Sequence, residues 1–496
     1  MSNPRIEPDV RYPTVAQIRD AEAATGLLAG GVLMSRAAHG VASAIIDDLR
    51  ATGGVYGRRV GLVVGSGDNG GDALFAGGVL ARRGVAVSAV LLAPDRAHRG
   101  GLAALRAAGG RVVAEFGELD VVVDGVVGIG GTGPLRPPAA AVFDAVGTRS
   151  PRARVVAVDL PSGVDADTGE VHEPAVRADL TVTFGVPRRA HVLAAPQCGR
   201  IVVVDIGLGH HAADGAVLGS LSDAQVGAAW PVPGPFDDKY RQGVVGIVAG
   251  SARYPGAALL CTGAAVAATS GMTRYAGPAA AAVVDHHPEV VVADEPERAG
   301  KVQAWVVGPG FGTDDAALIR LRTVLAADVP VLVDADGITL LAQHRELLAA
   351  RTAPTLLTPH AGEFARLTGE PLGPDRVAAV AACAAEFGAT VLLKGRATVI
   401  AAADHSQVLV NEAGSSWAAT AGSGDALAGI IGALLATGLQ PAVAAAMGAR
   451  AHSVAAHIAA GSPGAPIGAS SLVAAISDAI RTLRGQAGPA SSVGGI

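Results

Sequence analysis

The 496-residue chain is half hydrophobic and only 17% charged, which provides apolar mass for two or three packed domains and excludes a disordered chain. A formal charge of −6 with no basic block argues against nucleic acid as a partner. Three scattered cysteines, Cys198, Cys261 and Cys383, form neither a disulfide framework nor a cysteine zinc site and fit a reducing cytoplasm; no run supplies the ~20 strongly apolar residues of a membrane span.

Residues 1–13 are polar and carry no apolar signal core. Residues 14–50 have apolar positions at helical spacing, with Thr14 as N-cap. Short apolar strands then alternate with helical stretches. The strands are 60–64, 85–92, 121–123, 155–158, 180–184 and 201–205, with helices over 72–83 and 99–109. Continuous apolar strands separated by helices predict a parallel sheet covered on both faces. The pattern lapses over 207–243, which holds His210-His211, Pro231, Pro233 and Pro235, and this is the expected boundary. A second series follows: strands 244–248, 283–284, 290–293, 305–307, 331–333, 355–357, 390–393, 398–401 and 408–410, with helices over 256–270, 314–327, 375–387, 424–437 and 441–459. Residues 485–496 are small and Gly/Ser/Ala-rich. The chain therefore reads as two different α/β domains, 10–210 and 236–485, joined by a linker over 211–235.

The chemistry-bearing residues gather where strands end, the edge at which open α/β sheets bind ligands. In the first half, Gly65-Ser66-Gly67-Asp68-Asn69-Gly70-Gly71-Asp72 is a glycine-dense turn suited to a phosphate, although Asp68 and Asp72 add acid. Asn69 offers a carbonyl oxygen to a hard cation. The loops Asp124 to Pro134 (Gly128, Ile129, Gly130, Gly131, Thr132, Gly133) and Asp159-Leu160-Pro161-Ser162-Gly163 follow the next strands, and Asp159 is a candidate acid/base. In the second half, Tyr254-Pro255-Gly256-Ala257, Gly308-Pro309-Gly310-Phe311-Gly312, Asp334-Ala335-Asp336-Gly337, Thr358-Pro359-His360-Ala361-Gly362-Glu363 and Lys394-Gly395-Arg396-Ala397-Thr398 each follow a strand. Thr420-Ala421-Gly422-Ser423-Gly424-Asp425 opens an Ala/Leu-rich helix. Its free N–H groups suit a phosphate, and Asp425 is placed to accept a proton from an attacking hydroxyl. His286-His287 and His210-His211 lack a further ligand at metal spacing and are expected to be loop residues.

The first three loops resemble the NAD(P)H-hydrate epimerase domain, over roughly residues 10–210. The later series, in order, resembles the ribokinase-like ADP-dependent NAD(P)H-hydrate dehydratase domain, over about 225–485. Together they are similar to the bifunctional NAD(P)H-hydrate repair enzymes. The resemblance implies an N-terminal Rossmann-like three-layer sandwich and a C-terminal ribokinase-like α/β/α domain. It further implies a potassium ion on Asn69, Asp124 and Ser162, and hydrate contact by Asp68, Asn69, Gly70, Gly71, Asp72, residues 128–134 and Asp159. In the second half it implies hydrate contact by Ala257, Gly310, His360 and Asp425, and adenine-nucleotide contact by Lys394, Gly395, Arg396, Ala397, Thr398 and Gly424. Asp159 and Asp425 would be catalytic, ADP the co-substrate and Mg²⁺ its companion. A homo-oligomer is expected. Asp68, Ala73, and Ile338-Thr339 depart from the family pattern. Two alternatives stand beside this reading: a ribokinase-like small-molecule kinase, and a dehydratase whose N-terminal half is inactive.

Overall fold

The computed structural model describes residues 6–28, 30–208, 215, 217–349, 351–404 and 406–487. His210-His211 and the tail beyond 487 lie outside the described residues. The chain divides into two compact units, one from Arg11 to Val217, the other from Leu218 onward together with the residues before Arg11.

The first unit is a seven-stranded sheet in the order Arg111–Val112, Ala86–Leu91, Arg59–Val64, Val121–Gly125, Arg154–Val158, Leu180–Phe184, Arg200–Val204. Every pairing is parallel. Strand side chains alternate in direction, so Val60, Leu62 and Val64 join the helices Val32–Ala51, Asp68–Arg82 and Arg99–Ala107 in one core. Val63 and Val122 face the opposite way, toward Val146 of helix Pro137–Arg149. This is the expected three-layer sandwich. The expected N-cap is present: the Thr14 hydroxyl accepts from the Gln17 amide in a capping box. Strand order reverses between Arg59–Val64 and Val121–Gly125, and the crevice at such a switch point opens at the strands' carboxyl ends.

The second unit carries an eleven-stranded mixed sheet. Its order is Val10–Arg11, Leu218–Ser220, Val408–Glu412, Ala397–Ala401, Thr390–Leu393, Thr355–Leu357, Val331–Val333, Ala304–Val307, Val244–Val248, Met272–Ala276, Val291–Ala293. Strands from Val291–Ala293 across to Thr390–Leu393 run parallel; Ala397–Ala401 is antiparallel to both neighbours. Ile247, Val306, Leu332, Leu356 and Leu392 face a core completed by helices Pro255–Ala268, Ser423–Ala436 and Pro441–Ala460. Val333, pointing the other way, meets Gly337 of helix Asp336–Gln343. Helix Ser423–Ala436 is apolar on nearly all sides and buried almost throughout, as a helix enclosed by its neighbours must be. Here too the order reverses, between Val244–Val248 and Ala304–Val307.

Several expectations are corrected. Val283 and Val284 lie in helix Ala280–His286. The strand there is Met272–Ala276, whose Arg274 and Tyr275 conceal its apolar pattern. The glycine-rich stretch 68–72 is the first turns of helix Asp68–Arg82 rather than a loop. The stretch read as linker is largely structured: Leu218–Ser220 is a sheet strand and Asp223–Ala229 a helix capped by Ser222. Val226 and Trp230 are buried in the second core, and Trp230 Nε1 donates to the Ala268 carbonyl at 3.1 Å.

Candidate active sites

In the first unit, strands Arg154–Val158 and Leu180–Phe184 deliver Asp159 and its partners to the carboxyl edge. Asp159 is buried and adopts a positive φ of 66°, which costs of order 1–3 kcal/mol in a residue with a Cβ and persists only where its surroundings impose it. Here they do. The Asp159 carbonyl accepts from His191 Nε2 at 2.9 Å, and His191 Nδ1 accepts from the Arg188 amide at 2.9 Å. That pairing defines a neutral imidazole, in keeping with burial that pushes its pKa down to about 4. Asp159 Oδ1 accepts from Thr183 Oγ1 at 2.9 Å and Arg188 Nε at 3.1 Å, with Arg188 Nη2 at 3.0 Å. Oδ2 takes one amide, from Ile129 at 3.1 Å. One carboxylate oxygen is thus consumed by the scaffold and the other left for chemistry.

A Cβ placed on Gly128 would stand 2.8 Å from Asp159 Oδ2 and 2.9 Å from Asn69 Oδ1. The first turn of helix Asp68–Arg82, the 128–134 loop and Asp159 therefore converge on one point, with Gly128 and Ile129 half-buried and Gly130, Thr132 and Pro134 exposed. Asn69 and Asp72 are buried, and Asn69 Nδ2 and Asp72 Oδ1 have no hydrogen-bond partner. Burial, followed by the charges of Asp159, Asp68 and Glu22, pushes Asp72 well above the usual carboxylate range. Asp68 is exposed. Ala73 lies beneath Gly125, where its methyl fills the space a Cβ on Gly125 would take.

Asp124 is fully buried. Its Oδ1 accepts from Ser162 Oγ at 2.8 Å and the Val126 amide at 3.1 Å, and Oδ2 from the Ser162 amide at 2.7 Å. Among the described residues no lysine or arginine pairs with it, and burial raises its pKa to about 6. The Val127 carbonyl lies 3.3 Å from Ser162 Oγ. A buried carboxylate beside hydroxyl and carbonyl oxygens, without a countercharge, fits a monovalent cation.

In the second unit the two loops at the switch point are stitched together by the Gly250 amide donating to the Pro309 carbonyl at 2.7 Å. Gly310, at φ 60°, lies so close to helix Pro255–Ala268 that a Cβ would stand 2.6 Å from that of Ala257. Three strands along from Ala304–Val307, Lys394 Nζ donates to Asp334 Oδ1 at 2.7 Å and lies 3.6 Å from Glu363 Oε2; Thr358 Oγ1 also donates to Asp334 Oδ1, at 2.8 Å. Burial pulls the Lys394 pKa down, but Asp334 and Glu363 outweigh it and the net shift is upward, so the ammonium is kept charged. The same Nζ lies 3.4 Å from where a Gly424 Cβ would stand, placing a fixed cation at the N-terminus of helix Ser423–Ala436. No side chain caps that terminus, so its N–H groups face outward. Asp425 is in the first turn. Burial first, then Asp334, with Lys394 opposing, raises its pKa to about 7. Behind the terminus, buried His452 holds Ser423, with Nε2 3.0 Å from its carbonyl oxygen and 3.1 Å from its hydroxyl.

His360 is 56% exposed and caps helix Ala361–Thr368. Its Nδ1 accepts from the Gly362 amide at 2.9 Å, while its own amide donates to Glu363 at 2.8 Å. Arg396 turns away to Glu412 (2.8 Å) and the Gly414 carbonyl. Ala397 is buried in its strand, and Thr398 Oγ1 closes the turn by donating to the Gly395 carbonyl at 2.8 Å. The structure thus brings together Lys394, Gly424 and Asp425, and separately Ala257 and Gly310. It leaves Arg396 and Ala397 in structural duties. Sequence reasoning missed Thr183, Arg188, His191 and His452, and left Asp334 and Glu363 without roles. Position at the carboxyl end of strand Leu180–Phe184, beside Asp159, was the available signal for the first three; for His452 it was an imidazole on the buried face of an alanine-rich helix. Among the described residues no group of three His, Cys, Asp or Glu side chains is disposed to hold a metal, His286-His287 included.

Two crevices with opposite chemistry, one holding an aspartate between an arginine and an open loop, the other facing a lysine to a helix N-terminus, define a two-site α/β enzyme. Residues 30–190 match the family described as YjeF-related protein N-terminus, and residues 245–478 the family described as NAD(P)H-hydrate dehydratase. The chain is 58% identical to the bifunctional NAD(P)H-hydrate repair enzyme of Mycobacterium leprae, covering 95% of this chain and 99% of the relative. It is 60% identical to that of Mycobacterium tuberculosis over 88% and 91%. Among solved structures, an ADP/ATP-dependent NAD(P)H-hydrate dehydratase from Bacillus subtilis is 27% identical, covering 53% of this chain and 97% of its own, with a TM-score of 0.47. The chain belongs to the bifunctional NAD(P)H-hydrate repair enzymes.

Proposed function

We propose that the first unit interconverts the R and S hydrates of NAD(P)H and that the second dehydrates the S form at the expense of ADP, releasing AMP and phosphate. The observation that carries the reading is Asp425, poised near neutrality beside Lys394 at an open helix N-terminus. Hydroxide is a poor leaving group and phosphate a good one. Asp425 takes the proton of the C6 hydroxyl as that oxygen attacks the terminal phosphorus of ADP, and the bond to AMP breaks. Lys394 and the helix N–H groups hold the charge that develops. The C6–O bond then breaks, phosphate departs, the ring nitrogen supplies its electron pair, and loss of a C5 proton restores the double bond.

In the first unit, loss of the C6 hydroxyl as water gives a flat iminium, and water returns to either face. Asp159 Oδ2, the oxygen not engaged by Arg188, moves the proton in both directions. The exposed position of Asp68 and the snug fit of Ala73 favour an active epimerase over an inert half. A potassium ion would be held through Asp124 and Ser162, with Asn69 nearby, and would neutralise the buried carboxylate. Mg²⁺ would arrive with the nucleotide and supply charge neutralisation on the phosphates. We place the enzyme in the cytoplasm as a homo-oligomer, the latter open to sedimentation.

A mixture of R and S hydrates with ADP tests both activities through the near-ultraviolet absorbance of the restored dihydropyridine. Full conversion is expected, and omission of K⁺ is expected to slow only the R fraction. Asp425→Asn removes a general base and is expected to lower recovery by roughly 10²–10⁴-fold. Asp159→Ala is expected to leave the R hydrate stranded. Recovery that proceeds unchanged in Asp425→Asn would overturn the dehydratase mechanism.

A further inference from the structure

Arg376 opens helix Arg376–Phe387 and has no place in the chemistry above. Its Nε is buried without a hydrogen-bond partner. Among the described residues no carboxylate pairs with it, and burial alone pulls its pKa down. An arginine held in this state is costly unless an anion arrives to share its charge. Its surroundings say which anion. A Cβ on Gly395 would lie 2.6 Å from Arg376 Nη2 and 3.4 Å from Cζ and Nη1, so the guanidinium lies directly against the turn that follows Lys394. Gly395 is exposed and Arg376 itself only half-buried, so this flank of the turn is open to a ligand. On the other flank Lys394 faces the helix N-terminus and Asp425. Around one turn the chain therefore carries two cations with different circumstances. Lys394 is already balanced by Asp334 and Glu363; among the described residues no carboxylate balances Arg376.

We infer that Arg376 is a nucleotide-binding residue whose guanidinium receives the phosphate of ADP that is not transferred. This rests on the reading that the second unit uses an adenine nucleotide. The transferred phosphate must lie beside Asp425 and the helix N-terminus. The next phosphate along the chain then runs toward Gly395, where Arg376 meets it with the planar, charge-assisted donors that suit a phosphate. The AMP portion keeps this contact through the reaction, so the residue contributes to nucleotide affinity rather than to the chemical step.

The test is direct binding of ADP, AMP and adenosine by calorimetry to the full-length enzyme, the Arg376→Gln variant and the Arg376→Lys variant, with melting temperatures recorded for each. Arg376→Gln is expected to weaken ADP and AMP about tenfold or more while adenosine affinity is retained, and Arg376→Lys to recover part of the loss. Equal loss for adenosine would mean that the residue shapes the base pocket or the fold, and would overturn the inference; so would unchanged ADP affinity in a well-folded Arg376→Gln. Failure of the parent enzyme to bind ADP would instead count against the nucleotide reading itself, so the two failures are separable. If the variant does not fold, adenosine, AMP and ADP binding to the Arg376→Lys protein decides the question.

Discussion

Asp425 and Asp159 are both aspartates at a lip, yet the chain prepares them oppositely. Asp425 is desolvated among other carboxylates and holds its proton to about pH 7; Asp159 is clamped by a buried arginine. Since the base must be ionised to act, dehydration is expected to rise with pH as one proton leaves near 7 and then to level, read from the pH dependence of kcat/KM. The same burial has a stability consequence. Between the ordinary carboxylate range and about 7 the folded state binds a proton that the unfolded state has lost, so stability falls as pH rises through that window. Asp425→Asn removes the penalty. It is expected to melt roughly a few degrees higher than the parent at pH 8, the gap closing as pH falls toward 4. A gap that is constant with pH would show that Asp425 is not the group responsible.

At the scale of elements, the second site depends on how closely helix Ser423–Ala436 lies against Pro255–Ala268. A Cβ on Gly429 would run into the Cys261 carbonyl, and one on Gly422, at φ 82°, into Leu260. Gly422→Ala combines a left-handed backbone with that collision and is expected to cost about 1–3 kcal/mol. Because the displacement falls at the helix terminus, ADP affinity should fall with the melting temperature; a loss of stability with ADP affinity intact would show that the terminus does not hold the phosphate.

Much at this scale was readable beforehand. Most strands announce themselves as short valine- and leucine-rich runs, and the glycine and aspartate loops follow them directly. What escaped did so for physical reasons. Leu218–Ser220 is three residues long with a glycine at its centre, too short for periodicity to register. Val283 and Val284 look like a strand because β-branched pairs favour sheets, yet packing of Ala280–His286 decides otherwise. Arg188, His191 and His452 act through contacts made across 29 or more residues of chain, which local spacing does not reveal. Asp159 stands out in the sequence because it ends a strand; the strained backbone that presents it does not.

For the whole molecule, the dehydratase-like unit begins well before residue 236. Gln225 Nε2 donates to the Glu7 carbonyl at 2.6 Å and its Oε1 accepts from the Asp9 amide at 3.1 Å. A fragment starting at residue 236 loses Val226 and Trp230 from the core and strips the neighbour from strand Val408–Glu412. Losing two large buried side chains costs several kcal/mol, roughly 2–5 for each, and an uncovered strand edge invites aggregation. Such a fragment is expected to be insoluble or to melt far lower. A fragment in which a short flexible linker joins residue 10 to residue 218 is expected to fold and to bind ADP, checked by circular dichroism and calorimetry. Equal behaviour of the two fragments would show that the early strands are dispensable.

That arrangement also sets an order of events during synthesis. Strand Val10–Arg11 leaves the ribosome more than two hundred residues ahead of its sheet neighbour Leu218–Ser220. At ~5–20 residues per second it waits roughly ten seconds or longer. In that interval the segment between can close its own seven-stranded sheet, which needs no later residue. The hydrate-exchanging half can be complete while the phosphate-transferring half is still being made, and strand Val10–Arg11 stays unpaired until the whole of that first sheet has been synthesised.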